Sequence, residues 1–252
     1  MKILTHNVYW LQGFPSRWGT ERVAEVPEVM QALEDLYRPL EADVICLQEV
    51  HRPDLGDALA RALGMACVIH AAGGRRPDYG GVIMARRDCR LWDCTRPAGA
   101  TPHERIHLRA SLQGDGGPFE IASVHLPSNR YAGSAEAGHA LRLAELASVL
   151  AGSGKPDLVV GDMNCRPDSP PYRFMRENGY QDAALTTGPG GDRFPAGGVP
   201  DKPRVDYMWL AARHQDRMKS FSVLDTGSFR QVAPDGATWL LSDHPPLVME
   251  IR

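Results

Sequence analysis

Short apolar runs that end in polar residues recur along the chain, and they predict buried β-strands. The clearest run is Leu-Val-Val at 158–160, which is followed by Gly161, Asp162 and Asn164 before the chain breaks into prolines. Alternating apolar and polar residues over 106–112 predict a half-buried strand, which we expect to pair antiparallel with 80–87. Strands are predicted over residues 2–8, 43–50, 65–70, 80–87, 106–112, 119–126, 158–160, 204–210 and 247–251.

Apolar residues at helical spacing predict the helices. One helix runs from residue 20 to about residue 40, where Pro27 either kinks it or marks its first turn. The clearest helix covers 136–150, and we expect the side that contains Leu141 and Ala144 to face the core. Shorter helices, each followed by a glycine that stops it, are predicted over residues 55–63 and 170–178.

Two loops have an unusual composition. Residues 9–19 follow the first strand, and Trp10, Phe14 and Trp18 in this loop either stack on a ligand or pack over the edge of the sheet. Residues 186–203 are rich in glycine and proline. Loops of this length are uncommon in compact domains and are often functional.

Composition limits the size and partners of the protein. The 252 residues are 43% hydrophobic and 23% charged, which is sufficient for one large core. No linker interrupts the pattern, so residues 1–252 are predicted to form a single domain. The formal net charge of -3 gives no general attraction for polyanions, and binding of nucleic acid is therefore not favoured unless a local basic patch provides it.

Cysteine usage and hydropathy indicate the compartment. The five cysteines show no CxxC spacing, so neither a disulfide framework nor a cysteine zinc site is favoured. The amino terminus enters a strand without the apolar segment of a signal peptide, and no later run approaches membrane-spanning length. We expect a cytoplasmic protein without a transmembrane segment, and no protein partner is evident.

Polar residues that can bind metal or move protons stand at the ends of the predicted strands. Asp162 and Asn164 are two residues apart and point the same way in extended backbone. A carboxylate that accepts a proton beside a carboxamide that donates and accepts can aim a nucleophile, although Asp162 alone fits the start of an Asx-turn. The full set is Asn7, Glu49, His125, Asp162, Asn164, Asp206, Asp243 and His244.

In this order and with these neighbours, the motifs resemble the endonuclease/exonuclease/phosphatase superfamily, the deoxyribonuclease I-like metal-dependent phosphoesterases. The resemblance spans essentially the whole chain. It implies an α/β fold, a four-layer sandwich of two mostly antiparallel β-sheets flanked by helices, and hydrolysis of phosphate esters with Mg²⁺ or Mn²⁺. It rests on His6-Asn7-Val8, Leu47-Gln48-Glu49, Ser123-Val124-His125, Gly161-Asp162-Met163-Asn164, Val205-Asp206-Tyr207 and Ser242-Asp243-His244-Pro245.

The resemblance also implies a role for each metal-side and water-side residue. Glu49 is the expected principal metal ligand, with Asn7 beside it and Asp243 as a further carboxylate on the metal side. These oxygen ligands suit a hard cation that keeps several waters. Asp162 and Asn164 are expected to orient and deprotonate the attacking water.

On the phosphate side, the resemblance implies that His244 contacts the scissile group and neutralises developing charge, with Asp206 fixing its tautomer. His125 matches the histidine of the deoxyribonuclease I, sphingomyelinase, inositol-phosphatase and deadenylase branches. Abasic-site endonucleases have an acidic residue at the position of Tyr9 and a tyrosine at the position of His125. That branch is therefore disfavoured.

Three hypotheses about function follow. The first is a Mg²⁺-dependent hydrolase of phosphodiesters or phosphomonoesters that acts on a small, nucleotide or lipid-like substrate. The second is a nuclease that acts on single strands or damaged ends of DNA or RNA. The third, a binding module that lost its chemistry, is disfavoured because every catalytic position carries a suitable residue. Substrate contacts are expected from Trp10, Trp18, Arg17 and Arg130.

Overall fold

In a computed structural model of the chain, residues 1–15, 24–95, 103–114, 117–151, 154–187, 204–225 and 227–252 are described. They form two six-stranded β-sheets, packed face to face with helices on both outer faces, and a two-stranded hairpin. The four-layer α/β sandwich predicted above is confirmed.

The strands are β1 (Lys2–Asn7), β2 (Val44–Gln48), β3 (Cys67–Ala71), β4 (Gly81–Ala85), β5 (Leu91–Asp93), β6 (His107–Gly114), β7 (Gly117–His125), β8 (Leu158–Asp162), β9 (Tyr180–Asp182), β10 (Asp206–Ala211), β11 (Met218–Val223), β12 (Arg230–Val232), β13 (Thr238–Leu240) and β14 (Leu247–Ile251). The first sheet has the order β11-β14-β1-β2-β4-β3, and the second has the order β5-β6-β7-β8-β10-β9. Each sheet contains a central parallel pair, β1 with β2 and β7 with β8, and the other described neighbours are antiparallel. The polar residues at the ends of both parallel pairs therefore lie at the same edge of the sandwich.

The helices are α1 (Pro27–Tyr37), α2 (Pro53–Ala62), α3 (Ala135–Leu150) and α4 (Pro170–Glu177). α1 and α2 pack on the outer face of the first sheet, and α3 and α4 pack on the outer face of the second. α1, α2 and α4 begin with proline, where the missing N–H leaves no intrahelical bond unmade. Ser134 caps α3 by accepting a hydrogen bond of 3.1 Å from the Ala137 N–H.

The first helix is shorter than predicted. It begins at Pro27, so the proline marks the first turn and does not kink a longer helix. Of the additional residues in the prediction, 20–23 lie outside the described part of the chain.

The strand pairing predicted for residues 106–112 was wrong. β6 pairs with β5 and β7, whereas β4, which contains residues 81–85, pairs with β2 and β3. Leu108 of β6 and Ile83 of β4 instead belong to the apolar layer between the two sheets. Alternation identifies the buried face of a strand, but it does not reveal whether the strand it meets is a neighbour or lies in the other sheet.

The buried side predicted for α3 was wrong for Leu141 and Ala144, which are exposed, whereas Leu146 and Leu150, which belong to the same predicted apolar side, are buried. Leu141 is 41% exposed, and the buried face contains Arg142 and Glu145. Arg142 donates hydrogen bonds to the Pro127 carbonyl at 2.7 Å and to Asn129 Oδ1 at 2.8 Å. A buried charged group is tolerated when it is hydrogen-bonded in this way, so polarity alone does not define the buried face.

His107 makes the fold sensitive to acid. Burial, aided by His103 and Arg109, lowers the pKa of His107 from 6.5 to about 3, and its Nε2 atom has no hydrogen-bond partner among the described residues. Between pH 6.5 and 3 the unfolded chain therefore binds a proton at this position that the folded protein does not bind. The free energy of unfolding must fall as the pH falls through this range.

We expect His107→Gln to lose about 1 kcal/mol less unfolding free energy than the wild type when the pH changes from about 7.5 to 5.5. Urea denaturation of both proteins at the two pH values measures this difference. At the higher pH the imidazole is neutral in both states, which provides the reference. Equal losses in the two proteins would contradict the assignment.

No helix in the described ranges is long and apolar enough to cross a membrane.

Candidate active site

The carboxyl ends of the two parallel strand pairs meet and bring four predicted site residues together. Asn7 ends β1, Glu49 follows β2, His125 ends β7 and Asp162 ends β8. Each sheet thus contributes two of the four residues. Glu49 has a φ of 62°, a left-handed conformation that costs a non-glycine residue energy and is common at functional sites.

Asn7 joins the two carboxylates across the gap between the sheets. Its Nδ2 atom donates to Glu49 Oε1 at 3.1 Å and to Asp162 Oδ2 at 3.2 Å. Its Oδ1 atom accepts a hydrogen bond of 3.1 Å from the Tyr9 N–H. The amide therefore fixes the relative positions of Glu49 and Asp162.

Asp162 is the central carboxylate. Its Oδ1 accepts the Asn164 N–H at 2.9 Å, which is an Asx-turn, while Oδ2 lies 3.1 Å from His125 Nε2 and 3.9 Å from His244 Nε2. The two alternatives considered from the sequence are thus compatible, because one oxygen forms the turn and the other faces the site. Burial alone would raise the pKa of Asp162, but His125 and His244 hold it below its usual range.

His244 is oriented by Asp206. The His244 Nδ1 atom lies 2.6 Å from Asp206 Oδ2, and Asp206 is opposite Asp162 in the register of β10 and β8. Burial disfavours the charged imidazole, but Asp206, Asp243 and Asp162 together raise the pKa of His244 well above 6.5. His244 is therefore an imidazolium whose Nε2–H faces Asp162.

A buried hydrogen-bond chain that the sequence interpretation missed supports His244. The His6 Nε2–H donates to the His244 carbonyl at 2.7 Å, and His6 Nδ1 lies 2.5 Å from the Tyr37 hydroxyl on α1. Burial lowers the pKa of His6 to about 3, so the ring is neutral and can both donate and accept. His6 directly precedes Asn7, but only the contact across more than 200 residues reveals what it does.

The side chains on the expected metal side fit a cation. Glu49 is 5% exposed, and burial together with the nearby Asp243 raises its pKa to about 8. Glu49 Oε2 and Asp243 Oδ1 are buried without a hydrogen-bond partner among the described residues. Two buried carboxylate oxygens in this state suit a hard divalent cation, which would satisfy both and keep Glu49 ionised.

A second group of side chains also has metal-ligand geometry. One ligand atom each from Asp162, Asp206 and His244 lies within 4.8 Å of the others. His244 Nδ1 is already engaged by Asp206 at 2.6 Å, however. We therefore interpret this group as a hydrogen-bonded arrangement, and Glu49 and Asp243 remain the predicted cation ligands.

A cavity of about 680 Å³ opens over these residues. Trp10 and Arg130, two of the predicted substrate contacts, line it, whereas Arg17 and Trp18 lie outside the described residues. The segment Tyr9–Leu11 forms a turn in which all three residues have positive φ, between 48° and 63°. This conformation directs Tyr9 and Trp10 toward the cavity and buries the Leu11 side chain.

Two further cavity residues were missed from the sequence. Tyr79 follows the turn-rich loop at 73–78, and Arg105 lies two residues before the start of β6. The Arg105 guanidinium lies 4.3 Å above the Tyr79 ring and donates to His125 Nε2. Burial and Arg105 lower the pKa of His125 to about 4, so this histidine is neutral.

Comparison with known proteins gives a consistent picture. A family model described as "Endonuclease/Exonuclease/phosphatase family" matches residues 4–244. Protein angel homolog 2 of Mus musculus is 30% identical over 166 residues, which cover 59% of this chain and 30% of that protein. This chain thus spans less than a third of the length of that relative.

Solved structures share the fold over nearly the whole chain. A mannosyl-6-phosphatase of Bacteroides thetaiotaomicron superposes with a TM-score of 0.70 at 15% identity, over 100% of this chain and 99% of that one. The catalytic domain of human Nocturnin, with a bound sulfate anion, gives a TM-score of 0.65 at 18% identity, over 99% of this chain and 92% of that one.

Proposed function

The chain belongs to the endonuclease/exonuclease/phosphatase family, and we propose that it is a Mg²⁺-dependent hydrolase that cleaves phosphate esters by in-line attack of water. The observation that carries this proposal is the convergence of Glu49, Asp162, Asn164, Asp206 and His244 at one edge of the sandwich, beneath a cavity large enough for a nucleotide-sized ligand.

Glu49 and Asp243 would hold the Mg²⁺ or Mn²⁺ ion, for which their oxygen atoms are suitable ligands, and Asn7 would orient Glu49 beside it, because its Oδ1 accepts the Tyr9 N–H and its Nδ2 faces the carboxylates. When bound, the ion supplies charge neutralisation at the nonbridging phosphate oxygens. Asn7 holds Glu49 and Asp162 at a fixed separation through its two hydrogen bonds. The distance between Glu49 on the metal side and Asp162 on the water side is thereby fixed.

Asp162 and Asn164 orient the attacking water. Asp162 is ionised, because its pKa lies below the usual range, and its Oδ2 faces the site. An ionised carboxylate at this position can accept a hydrogen bond from the water and take its proton during the attack, so it both aligns and activates the nucleophile. Asn164 Nδ2 is held by the Leu126 carbonyl at 3.0 Å, which fixes the carboxamide plane.

His244 and Asp206 stabilise charge that develops on the phosphoryl group. The imidazolium is already charged and oriented before the reaction, so it requires no reorganisation as negative charge builds up. His125 is neutral and lies against Asp162 and Arg105. Because its Nε2 accepts from Arg105, it has no proton there to donate to Asp162, and it positions Arg105 without supplying charge.

We propose a small, nucleotide or lipid-like phosphate ester as the substrate. The net charge of -3 supports this proposal over a long polyanion. The alternative is a nuclease for single strands or damaged ends, and the aromatic side of the cavity, with Tyr9, Trp10 and Phe14, supports it because bases stack on such rings.

A phosphate-release screen tests the proposal. Nucleotides, sugar phosphates, phospholipid head groups and oligonucleotides would be incubated with Mg²⁺ and, separately, with EDTA. We expect release that requires the metal, and its absence across all classes would refute the proposal. A salt-sensitive gel shift with oligonucleotides would favour the nuclease alternative.

Glu49→Gln tests the assignment of the cation site. The substitution preserves shape and the hydrogen bond from Asn7 but removes one of the two orphaned carboxylates, so Mg²⁺ affinity is expected to fall by about tenfold or more. Calorimetric titration with Mg²⁺ measures this, and Glu250→Gln, an exposed acid on β14 paired with Lys219, is the control. Unchanged Mg²⁺ affinity in Glu49→Gln would show that the cation binds elsewhere.

A further inference from the structure

Among the described residues, Arg105 is a buried cation that attracts Glu49 and Asp162 at longer range but forms no direct ion pair with either. Its side chain is among the buried residues, at 5% exposure, and it lines the cavity above Asp162. Within the described parts of the chain, the guanidinium forms no ion pair with a carboxylate, and its Nε atom has no hydrogen-bond partner. Its acceptor in the protein is the imidazole Nε2 of His125.

Other buried arginines of this protein donate to oxygen atoms of the protein, although the Nε of Arg142, like that of Arg105, has no partner among the described residues. Arg109 donates to Glu120 at 2.9 Å, and Arg204 donates to Asp182 at 2.8 Å. Arg142 lacks a carboxylate, but it donates to two oxygen atoms at 2.7 and 2.8 Å. Arg105 has the longer-range attraction of Glu49 and Asp162 but no oxygen acceptor among the described residues, so an anionic ligand in the cavity would satisfy its remaining donors.

The guanidinium is also held in place. Tyr79 lies under its face at 4.3 Å, and the Tyr79 hydroxyl is 3.2 Å from the Tyr131 hydroxyl. Trp10 packs edge-on against Tyr79, with ring centroids 4.9 Å apart, and is itself anchored by its Nε1–H to the Asp78 carbonyl at 2.9 Å. A planar guanidinium that is already oriented suits a phosphoryl group, because two of its N–H groups can donate to two phosphoryl oxygens at once.

We propose that Arg105 anchors the phosphoryl group of the substrate and that Tyr79 orients the guanidinium for this contact. The inference rests on the proposed function, because it places the phosphoryl group beside His125 and Asp162. It adds a specificity determinant for oxyanions that is not itself a ligand of the cation, and it assigns a purpose to guanidinium donors that no described oxygen atom accepts.

Binding of inorganic phosphate to the full chain in the presence of Mg²⁺ tests the proposal. We expect Arg105→Gln to weaken phosphate binding by about tenfold or more, since hydrogen bonds between charged groups contribute effects of this order. The phosphate affinity of Arg105→Lys should lie between those of wild type and Arg105→Gln, because lysine keeps the positive charge but lacks the planar set of N–H donors. Arg76→Gln is the matched control: it removes the same charge from an arginine that pairs with Glu104 and lies outside the cavity, and its phosphate affinity should stay within about twofold of wild type.

A second measurement does not depend on the stability of Arg105→Gln. In wild-type protein, the ¹⁵N–¹H signal of the Arg105 Nε, assigned by its absence in Arg105→Lys, should shift on addition of phosphate, whereas the Arg76 signal should not. An unshifted Arg105 signal, or phosphate affinity in Arg105→Gln within about twofold of wild type, would overturn the proposal.

The two proposals fail in different ways. Arg105-dependent phosphate binding without hydrolysis of any ester in the screen would refute the hydrolase and leave the anchor in place. Hydrolysis of an ester, together with unchanged phosphate binding in Arg105→Gln, would support the hydrolase and refute the role of Arg105 as the phosphate anchor. Mg²⁺ titration without phosphate should give an affinity in Arg105→Gln at least equal to that of wild type, because the substitution removes a positive charge that acts on Glu49, and a weakened value would show that the variant disturbs the cation site instead.

Discussion

Asp162→Asn is expected to lower the turnover of the proposed hydrolase by roughly a hundredfold to ten-thousandfold, the range typical for a group that aligns and activates water. Asparagine keeps the oxygen that accepts the Asn164 N–H, so the Asx-turn should persist. It removes the negative charge that faces His125 and His244. Steady-state kinetics on a substrate from the screen, together with thermal melting, measures the effect.

The loop that follows β8 offers a control for this experiment. Asp168 is exposed, has a φ of 64° and does not line the cavity, and asparagine tolerates this conformation well. Asp168→Asn should therefore leave both turnover and melting temperature close to wild type. A fall in turnover smaller than about tenfold in Asp162→Asn would show that another residue orients the attacking water.

His244→Gln and Asp206→Asn should each lower kcat by about a hundredfold or more, and the double variant should be hardly worse than the worse single one. Removal of a single preorganised donor from a transition state costs about this much. The 2.6 Å contact between Nδ1 and Oδ2 makes the two residues one functional unit, and coupled catalytic groups are strongly non-additive.

A second histidine–aspartate pair provides the control. His214 Nε2 lies 2.5 Å from Asp157 Oδ1, outside the cavity. His214→Gln removes the same kind of contact and should leave kcat unchanged. Additive losses in the cycle of His244 and Asp206 would show that the two residues act separately, and the role given to Asp206 would then be wrong.

Much of the architecture follows from local patterns in the sequence. Long strands such as β7 and β8 are buried throughout their second halves, so their apolar runs are unmistakable. Gly64 and Gly179 have φ values of 69° and 85° and end their helices as predicted. β5, β9, β12 and β13 have three residues each, too few to show a period, and they were missed along with β11.

The sequence predicts a site residue where a side chain that can bind metal or transfer a proton ends a strand, and the resemblance adds Asp206 and His244. Asn7, Glu49 and Asp162 are such residues, and the structure places them in direct contact. Arg105 and His6 are not recognised in this way, because an arginine before a strand and a histidine within one have many ordinary explanations. Their surroundings depend on contacts between segments far apart in the chain, which no local pattern encodes.

The candidate site is divided between two sheets, and this division affects which substitutions the protein can accept during evolution. Asn7 and Glu49 belong to one sheet and His125 and Asp162 to the other, so the thickness of the apolar layer between the sheets sets the gap that the Asn7 amide spans. A larger or smaller side chain at Val160 or Ile3 in that layer would shift this gap without touching a catalytic group. Inherited variation in the surface loops can therefore alter which ester is accepted, whereas variation in this layer alters whether any ester is cleaved.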